Sequence, residues 1–459
     1  MADSLTVLIM AAGQGTRMKS TLPKVLHPVC GQPMVHWVIA AARDAGADNV
    51  VAITRPGDGV DQALPDGTAN AQQTEGEGTG SAVLAARDHV DPESTVIVLS
   101  GDVPLTSSRL LAELVAKHED EQAAATLLTT AELDPTGYGR IVRGADGGVE
   151  RIVETKYTEG VPAEMLAVRE INIGTYAFRA RDLFQALDAV GQTNGERYLT
   201  DVFPLILQNG GRIAAHTTTD VSSAMGVNTR ADLAAVQDIA QRRVIDALAA
   251  SGVTFEAPGT ASIDATVQIA ADTTIANGVT LKGATAIGAG CTLGPQTTIV
   301  DSTVGDQTTI LHSYLTDCQV AANATIGPFA YLRPAANIGD GAKIGTFVEV
   351  KKSNVGAGAK VPHLSYIGDA DIGERANVGG GAITANYHRK VKNRTVIGKD
   401  AKTGVHNSFV APVRVGDGAY TGAGSVIADD VPDGALGIAR SDQKNIEGYA
   451  KKVEEGSGQ

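Results

Sequence analysis

Residues 262–299 read SIDATVQIAADTTIANGVTLKGATAIGAGCTLGPQTTI, and this stretch decides the fold of the C-terminal half of the chain. An aliphatic residue recurs at every sixth position, at Ile263, Ile269, Ile275, Leu281, Ile287, Leu293 and Ile299. A period of six fits neither an amphipathic helix nor a single strand, and it is typical of a hexapeptide parallel β-helix. Each six-residue step then forms one short strand and one corner, and the aliphatic side chain points inward.

The six-residue period continues, with interruptions, to residue 427. It returns, with Thr at two positions, at Val304, Ile310, Val320, Ile326, Leu332, Ile338, Ile344, Val355, Val361, Ile367, Ile397, Thr403, Phe409, Val415, Thr421 and Ile427. With three sides per coil, this span predicts roughly nine coils stacked about 4.8 Å apart. We expect the slips of the period near 304, 315 and 350–396 to be loops that leave the β-helix.

The N-terminal half has a different pattern, in which strand-like and helix-like segments alternate. Leu5–Met10 is a continuous apolar run, as expected of a strand buried on both faces of a parallel sheet. The pattern predicts further strands at 50–54 and 95–100, and helices at 33–45, 109–117 and 181–187. This alternation indicates an α/β domain.

Four segments follow from these patterns. We predict an α/β domain over residues 1–230, a helical linker over 231–252, a β-helix domain over 253–440 and a polar C-terminal tail over 441–459. The linker prediction rests on residues 231–251, which contain neither Gly nor Pro and are rich in Ala and Leu.

The composition restricts the possible functions. The chain has 459 residues, 53 of them Gly, and a formal net charge of −14, which argues against binding to nucleic acids or anionic membranes. Its three cysteines include no CxxC pair, so a reducing compartment fits better than a disulfide framework. No run approaches the ~20 apolar residues of a transmembrane helix. We therefore expect a soluble, cytoplasmic protein.

A glycine-rich loop follows the first predicted strand. Residues 10–18 read MAAGQGTRM, and LPK follows at 22–24. Two glycines in a loop after a strand let backbone N–H groups approach a phosphate closely, and Arg17 and Lys24 add positive charge. The loop contains neither a Walker A sequence nor a complete GxGxxG.

These two strings resemble the signature of the sugar-phosphate nucleotidyltransferase family. Further segments that resemble this family follow in order, at 73, 78–80, 100–105, 137–140, 153–154, 171–174 and 226–228. Such a domain joined to a hexapeptide β-helix resembles the family of bifunctional N-acetylglucosamine-1-phosphate uridylyltransferases and glucosamine-1-phosphate N-acetyltransferases, over nearly the whole chain. The resemblance implies a Rossmann-like nucleotidyltransferase domain, a connecting helix and a left-handed parallel β-helix.

The resemblance assigns uridylyl transfer to the first domain. Asp102, at a strand end, suits Mg²⁺ because this ion prefers hard oxygen donors, and Asn228 is the second ligand by resemblance. Arg17 and Lys24 would be catalytic through their charge on the triphosphate. The base would be bound by Gln73, Gly78 and Thr79, and the sugar by Gly139, Glu154 and Asn172. The remaining substrate-binding residues would be Met10, Ala11, Ala12, Gly13, Ser100 and Gly101.

Acetyl transfer to an amine needs a base, and His363 is the candidate in the second domain. We expect Glu349 to orient it or stabilise its charge. Arg333 and Lys351 are candidates for the sugar phosphate. The sugar would be positioned by Tyr366, Asn377, Asn386 and Tyr387. The acetyl-CoA site would be formed by Gly380, Asn386, Tyr387, Val405, Ala423 and Arg440.

The sequence departs from the family pattern at two places. His388-Arg389 follows Tyr387, where the family usually has Asp-Gly, and Val405 stands where a Ser is common. Both places belong to the expected acyl-donor region. His406, the neighbour of Val405, would compensate for the missing hydroxyl.

The resemblance further implies a homotrimer that acts on small molecules only, with no nucleic-acid or membrane partner. The substrates would be UTP, glucosamine 1-phosphate, N-acetylglucosamine 1-phosphate and acetyl-CoA, and the product UDP-N-acetylglucosamine would serve peptidoglycan and other envelope polymers. One alternative keeps only nucleotidyl transfer, with a structural β-helix. Another is a non-enzymatic repeat scaffold. His363 with Arg333 and Lys351 favours the bifunctional enzyme, because a structural β-helix does not need them.

Overall fold

The computed structural model describes residues 4–136, 138–145, 147–153, 162–192 and 195–456. The chain divides into two compact units, Met1–Arg243 and Val244–Gln459. None of the helices in these ranges is long and apolar enough to cross a bilayer.

The first unit is built around one twisted sheet. Its strands lie in the spatial order Ile213–Thr217, Ala125–Thr130, Ile171–Arg179, Thr95–Ser100, Leu5–Met10, Asn49–Thr54 and Ala69–Gln72. Only Ile171–Arg179 runs antiparallel to its neighbours in this order. Arg140–Arg143 and Val149–Val153 extend the sheet as an antiparallel pair beside it. The α/β fold predicted from the alternating pattern, which the resemblance implies to be Rossmann-like, is confirmed.

Helices cover the two faces of this sheet. The α-helices are Met34–Asp44, Thr79–Ala85, Ser108–Asp120, Ala163–Leu166, Ala180–Ala189 and Val202–Gln208. The short 3₁₀ helices are Thr16–Met18, Lys24–Leu26, Asp61–Ala63, Arg87–His89, Leu199–Asp201 and Val221–Ala224. Leu8, Val51 and Val98 pack into one buried cluster and Val7, Ile9 and Ile97 into another, as neighbouring residues of a strand point to opposite faces.

The helix predicted after residue 230 spans Arg230–Ala250. In its first part, Gln237 accepts a hydrogen bond from the Cys30 amide (2.9 Å) and Arg243 donates to the Leu105 carbonyl (2.7 Å). Ile245, near its end, belongs to the hydrophobic core of the second unit. The helix is therefore a structural part of both units.

The second unit is a left-handed parallel β-helix: the period of six predicts the β-helix, and the resemblance implies its hand. Its first sheet contains Thr254–Phe255, Thr274–Ile275, Thr292–Leu293, Thr309–Ile310, Thr325–Ile326, Lys343–Thr346 and Lys360–His363. The second contains Ser262–Ile263, Thr280–Lys282, Thr298–Val300, Tyr314–Thr316, Tyr331–Leu332, Glu349–Lys351, Tyr366–Gly368, Ile383–Ala385, Ser408–Val410 and Val426–Ile427. The third contains Gln268–Ile269, Ala286–Ile287, Thr303–Val304, Gln319–Val320, Asn337–Ile338, Asn354–Val355, Ala370–Ile372, Thr395–Ile397 and Val413–Val415. Every period position identified in the sequence is buried.

The prediction that slips of the period mark loops leaving the β-helix is wrong at 304, 315 and 355. Val304, Leu315 and Val355 are buried and lie in ladder strands. The step from Ile299 to Val304 has five residues instead of six, and Asp301 within this step has a left-handed backbone (φ 47°). Val304 nevertheless stays in register with Ile287, so the five-residue step closes the coil without a loop.

One insertion does leave the coil stack, between Ala385 and Thr395. It forms an antiparallel hairpin from Tyr387–His388 and Val391–Lys392. Arg394 fixes its base through a hydrogen-bonded ion pair with Asp371 (2.5 and 2.9 Å). The remaining short elements are the pairs Pro28–Val29 with Gln32–Pro33 and Tyr420–Thr421 with Leu436–Gly437, the 3₁₀ helix Pro258–Thr260 and the terminal helix Tyr449–Gly456.

Trp37 and His118 allow the first unit to be followed in solution. Trp37, the single tryptophan of the sequence, donates from Nε1 to the Val29 carbonyl (3.0 Å). His118 is buried, and its Nδ1 lies 2.9 Å from the Thr126 hydroxyl oxygen. Burial, together with the charge of Arg179, lowers the pKa of His118 from 6.5 to about 4.

We predict that His118 makes the first unit less stable in mild acid. Between pH 6.5 and about 4 the unfolded chain binds a proton that folded His118 does not, so the free energy of unfolding falls as the pH drops. The loss from pH 7 to pH 4.5 should be about 1–3 kcal/mol. Urea unfolding followed by Trp37 fluorescence would measure it. His118→Gln should remove this part of the pH dependence, whereas exposed His89→Gln should leave the wild-type profile; equal profiles for all three proteins would contradict the prediction.

Candidate active sites

The first candidate site lies at the carboxyl edge of the N-terminal sheet. Leu5–Met10 is flanked by the parallel strands Asn49–Thr54 and Thr95–Ser100, so the loops that follow these three strands meet at one edge. A cavity of about 300 Å³ opens there. It is lined by Met10, Ala12, Gly13, Gln14, Lys24, Val25, Arg55, Gln73, Glu77, Gly78, Thr79, Ala82, Ser100, Asp102 and Glu196.

A charged cluster forms the floor of this cavity. The Lys24 ammonium forms a hydrogen-bonded ion pair with Asp102 and donates to Asn228 Oδ1 at 3.2 Å. Arg17 donates to the same Asn228 oxygen at 2.9 Å, and the Ser100 hydroxyl donates to Asp102 Oδ1 at 2.7 Å. Lys24 and Asp102 are 13% and 12% exposed, so water screens their charges only in part. The four predicted residues Arg17, Lys24, Asp102 and Asn228 therefore form one network.

Asn228 reaches this network although it is distant in sequence. The Val227 amide donates to the Asp102 carbonyl at 2.9 Å. Asp232, in the first turn of the following helix, accepts from the amides of Asn228 (3.0 Å) and Thr229 (2.8 Å). These backbone contacts fix the segment before the helix against the end of strand Thr95–Ser100.

The donor set at this cluster fits a magnesium ion. Asp102 and Asn228 each direct a side-chain oxygen at the same Lys24 ammonium, so both oxygens face one position of positive charge. Mg²⁺ in nucleotide sites typically takes one or two protein oxygens and completes its shell with water and phosphate. Within the described ranges there is no cluster of three or more His, Cys, Asp or Glu arranged as a metal site.

A second cavity of about 390 Å³ adjoins the first and shares Met10, Thr79, Ser100 and Asp102 with it. The other lining residues are Val103, Tyr138, Ile173, Gly174, Tyr176, Tyr198, Leu199, Thr200, Ala224, Gly226 and Asn228. Asp102 thus stands between two neighbouring cavities. This arrangement can hold two substrates that meet at the charged cluster.

The predicted sugar-binding residues take different positions around the second cavity. Asn172 is buried and donates from Nδ2 to the Tyr176 hydroxyl (2.9 Å), and Tyr176 lines the cavity. The Gly139 carbonyl accepts a hydrogen bond from the Asn172 amide. Glu154 lies outside the described residues. The structure therefore gives Asn172 a supporting contact behind the cavity wall.

Two predicted nucleotide-site residues, Ala11 and Gly101, do not line the first cavity, and six lining residues were not predicted, among them the charged Arg55 and Glu77. The Ala11 amide donates to the Ile53 carbonyl and the Gly101 amide to the Met10 carbonyl, so both amides are used in backbone hydrogen bonds. Arg55 and Glu77 line the cavity, with 3.6 Å between Arg55 Nη2 and Glu77 Oε2. Arg55 directly follows strand Asn49–Thr54. Its position at the carboxyl end of a parallel strand is the feature of the sequence that could have identified it as a lining residue.

The second candidate site lies on one face of the β-helix. We name this the Tyr366 face, formed by Tyr331–Leu332, Glu349–Lys351, Tyr366–Gly368 and Ile383–Ala385. Arg333 Nη1 donates to Glu349 Oε1 at 2.7 Å, and this hydrogen bond raises the pKa of the Arg333 guanidinium. Lys351 is the register partner of Gly368. The predicted phosphate-binding cations Arg333 and Lys351 therefore lie at one edge of this face.

A column of five residues borders the opposite edge of the Tyr366 face. Thr346 is the register partner of His363, and the interstrand hydrogen bonds Gly381 N to His363 O, His406 N to Gly380 O and Gly424 N to Val405 O continue this alignment. We name this set the His363 column; its members in successive coils are Thr346, His363, Gly380, Val405 and Ala423. The predicted base thus shares one column with three predicted acyl-donor residues.

The His363 side chain is exposed, and no side-chain hydrogen bond to its ring occurs in the described part of the chain. Glu349 contacts Arg333, and among the described residues it makes no ion pair with His363, contrary to the expected orienting role. Asn377 pairs with Lys360 on the strand that ends at His363. The imidazole is therefore open to a substrate that crosses the Tyr366 face.

The remaining predicted residues of this site lie at the start of the insertion and after the last coil. Asn386 is buried and donates to Asp369 (2.5 Å) at the Lys351 edge. Tyr387 begins the hairpin and is exposed, and Arg440 lies exposed after the last coil. The structure places Asn386 and Tyr387 near the edge of the same chain that holds Arg333 and Lys351, and the His363 column at the other edge.

Comparisons with known proteins agree with this two-part architecture. The family model for MobA-like NTP transferase domains matches residues 7–204. A protein of Clavibacter sepedonicus named "Bifunctional protein GlmU" is 44% identical over 99% of this chain and 94% of its own length. Proteins of the same name from Halalkalibacterium halodurans and Heliobacterium modesticaldum are 45% and 44% identical, over 97% and 98% of this chain and 98% and 99% of their own lengths.

We predict that Lys24→Met destabilises the first unit, because it leaves the Asp102 carboxylate largely buried without its cation. Loss of a charged hydrogen-bond partner from a buried group typically costs about 1–3 kcal/mol. Urea unfolding followed by Trp37 fluorescence would measure the change, with exposed Lys19→Met as the matched control. Equal midpoints for the two variants would show that the Lys24–Asp102 pair contributes nothing to the fold.

Proposed function

The chain belongs to the family of bifunctional GlmU proteins, and we propose that it catalyses two successive transfers with two separate sets of residues. In the first, acetyl-CoA acetylates the amine of glucosamine 1-phosphate. In the second, UMP passes from UTP to N-acetylglucosamine 1-phosphate, which gives UDP-N-acetylglucosamine and pyrophosphate. The chain is thus an acetyltransferase and a uridylyltransferase.

One observation supports this assignment above the others. The chain carries two polar sites of different chemistry, a Lys24–Asp102–Asn228 cluster and a column with an exposed His363. Relatives that cover almost the whole chain carry a name that says bifunctional. A nucleotidyltransferase with a merely structural β-helix gives no reason for Arg333, Lys351 and His363 to border one face.

Uridylyl transfer would take place at the cluster between the two N-terminal cavities. An oxygen of the sugar phosphate attacks the α-phosphorus of UTP, and the bond from this phosphorus to the pyrophosphate oxygen breaks. Lys24 and Arg17 would bind the phosphates and stabilise the charge that develops there. We place the base in the first cavity, against Gln73, Gly78 and Thr79, and the sugar in the second, which Asp102 separates from the first.

Two neighbouring contacts would keep the base-binding loop in place. Gln73 donates from Nε2 to the Gly76 carbonyl (3.0 Å), and Thr79 Oγ1 accepts from the Leu199 amide (2.9 Å). Asp102 and Asn228 would hold Mg²⁺, and a bound ion supplies positive charge that neutralises the phosphates.

Acetyl transfer would take place across the Tyr366 face. A ring nitrogen of His363 would accept a proton from the sugar amine as this amine attacks the thioester carbonyl. Arg333 and Lys351 would bind the sugar phosphate, and Tyr366 would position the ring between that edge and His363. Gly380, Val405 and Ala423 would border the acyl donor. The resemblance adds four further residues to this site: Asn377, Asn386, Tyr387 and Arg440. It also supports a homotrimer and a cytoplasmic location.

We predict that His363→Ala lowers acetyl transfer at least ~100-fold, the usual contribution of a general base, and leaves uridylyl transfer unchanged. Thiol release from acetyl-CoA with glucosamine 1-phosphate measures the first activity, and pyrophosphate release measures the second. If His363→Ala keeps more than a third of the acetyl-transfer rate, His363 is not the base.

Asp102→Asn should have the reverse effect. It removes a charge from the cluster at which the phosphates meet and should lower pyrophosphate release at least ~100-fold. Thiol release should stay within twofold of the wild-type rate, because Asp102 lies in the other unit. Loss of both activities in a folded Asp102→Asn protein would contradict the assignment of separate residue sets.

Gly368→Ala should weaken binding of the amino sugar through Tyr366. A Cβ at Gly368 would overlap the Tyr366 hydroxyl and its ring, so Tyr366 must turn away. We expect the KM for glucosamine 1-phosphate to rise about tenfold, which corresponds to one lost hydrogen bond, with a smaller change in KM for acetyl-CoA. Tyr366→Phe is the control that removes the hydroxyl and keeps the ring; an unchanged KM in both variants would exclude Tyr366 from the acceptor site.

A further inference from the structure

His406 occupies a defined position directly beside the His363 column. It follows Val405, and its amide donates to the Gly380 carbonyl at 2.7 Å. The alignment of successive coils therefore places His406 against Gly381, as it places Gly381 against Leu364. Its backbone is left-handed, with φ 53°. His406 thus lies at the corner that borders the predicted acyl-donor residues.

The imidazole of His406 leans over Gly381. A Cβ built on Gly381 would lie 2.5 Å from His406 Nδ1 and 2.9 Å from Cε1, so the ring fills the space that a side chain at 381 would take. His363 stands beside the preceding residue, because a Cβ on Gly380 would lie 4.0 Å from His363 Cδ2. The two imidazoles therefore each lie beside one of two consecutive glycines.

The reaction needs a second proton transfer at this place. When the amine attacks the thioester, the carbon–sulfur bond breaks and the sulfur leaves with the electron pair as a thiolate. His363 removes one proton from the amine nitrogen, and the sulfur gains one proton as the thiol forms. One imidazole that accepts a proton and one that donates a proton satisfy this balance, and the two then exchange protons with water.

On the proposed acetyl-transfer function we infer that His406 is a further catalytic residue, which donates a proton to the departing thiolate. Its ring lies over Gly381 and its amide bonds to the Gly380 carbonyl, so His406 borders Gly380 and Val405, the residues assigned to the acyl donor. Val405 itself offers no polar side-chain atom, so its neighbour His406 supplies the titratable side chain in this coil.

Leaving-group dependence tests this role. With acetyl-CoA, an alkyl thioester, His406→Asn should lower kcat/KM about 100-fold, at the lower end of the range for general acids. With S-acetyl-thiophenol, whose aryl thiolate leaves without protonation, the same variant should stay within threefold of wild type. Asn tolerates the left-handed backbone, so the corner is retained.

Two further variants sharpen the result. Gly381→Ala keeps His406 and displaces its ring, and it should reproduce the selective loss with the alkyl thioester. His312→Asn is the matched control, because His312 also sits at a left-handed corner (φ 42°) in an earlier coil, outside the Tyr366 face. It should keep both rates.

Either of two outcomes would overturn the inference: no loss in His406→Asn, or an equal loss with both thioesters, which would mean a binding or structural contact. The proposed function fails in a different way, since the wild-type protein would then release no thiol from acetyl-CoA.

Discussion

The second unit depends on one constraint, which is that every coil must continue the backbone hydrogen bonds of the coil before it. The buried aliphatic residues fill the interior at each step, and the register partners therefore stand directly above one another. A side chain on the outside is consequently placed by its coil position alone. This is how His363, Gly380 and Val405, which are far apart along the chain, come to share one column.

The first unit positions its predicted site residues in a different way. Its functional groups come from loops at the carboxyl ends of parallel strands, so their placement depends on particular hydrogen bonds instead of a repeat. The Val227–Asp102 backbone contact brings Asn228 to the cluster, and Lys24 bridges Asp102 and Asn228. The Lys24 ammonium contacts an oxygen of each residue and so holds the cluster together.

The fold was predictable from the sequence because both units have strong periodic signals. The period of six specified most of the inward residues and missed Leu315, Val350 and Ile372, and the apolar run Leu5–Met10 specified the central strand. The corners of the β-helix were harder to predict, because a step of five residues looks like a loop in the sequence. The left-handed backbone of Asp301 leaves no mark in a hydrophobic pattern. The grouping of Arg17, Lys24, Asp102 and Asn228 was predicted from the resemblance. Arg55 and Glu77 were missed because their position depends on which strands are neighbours in the sheet. The Arg333–Glu349 contact was missed because the register of the coils decides which side chains pair.

The position of the single tryptophan has a practical consequence for spectroscopy. Trp37 lies in helix Met34–Asp44 and its indole is bonded to Val29, so its emission reports on the α/β unit. The β-helix has only tyrosine and phenylalanine as fluorophores. In a heating experiment, tryptophan emission and far-ultraviolet circular dichroism would thus report different events, and any difference between the two midpoints would measure how independently the two units melt.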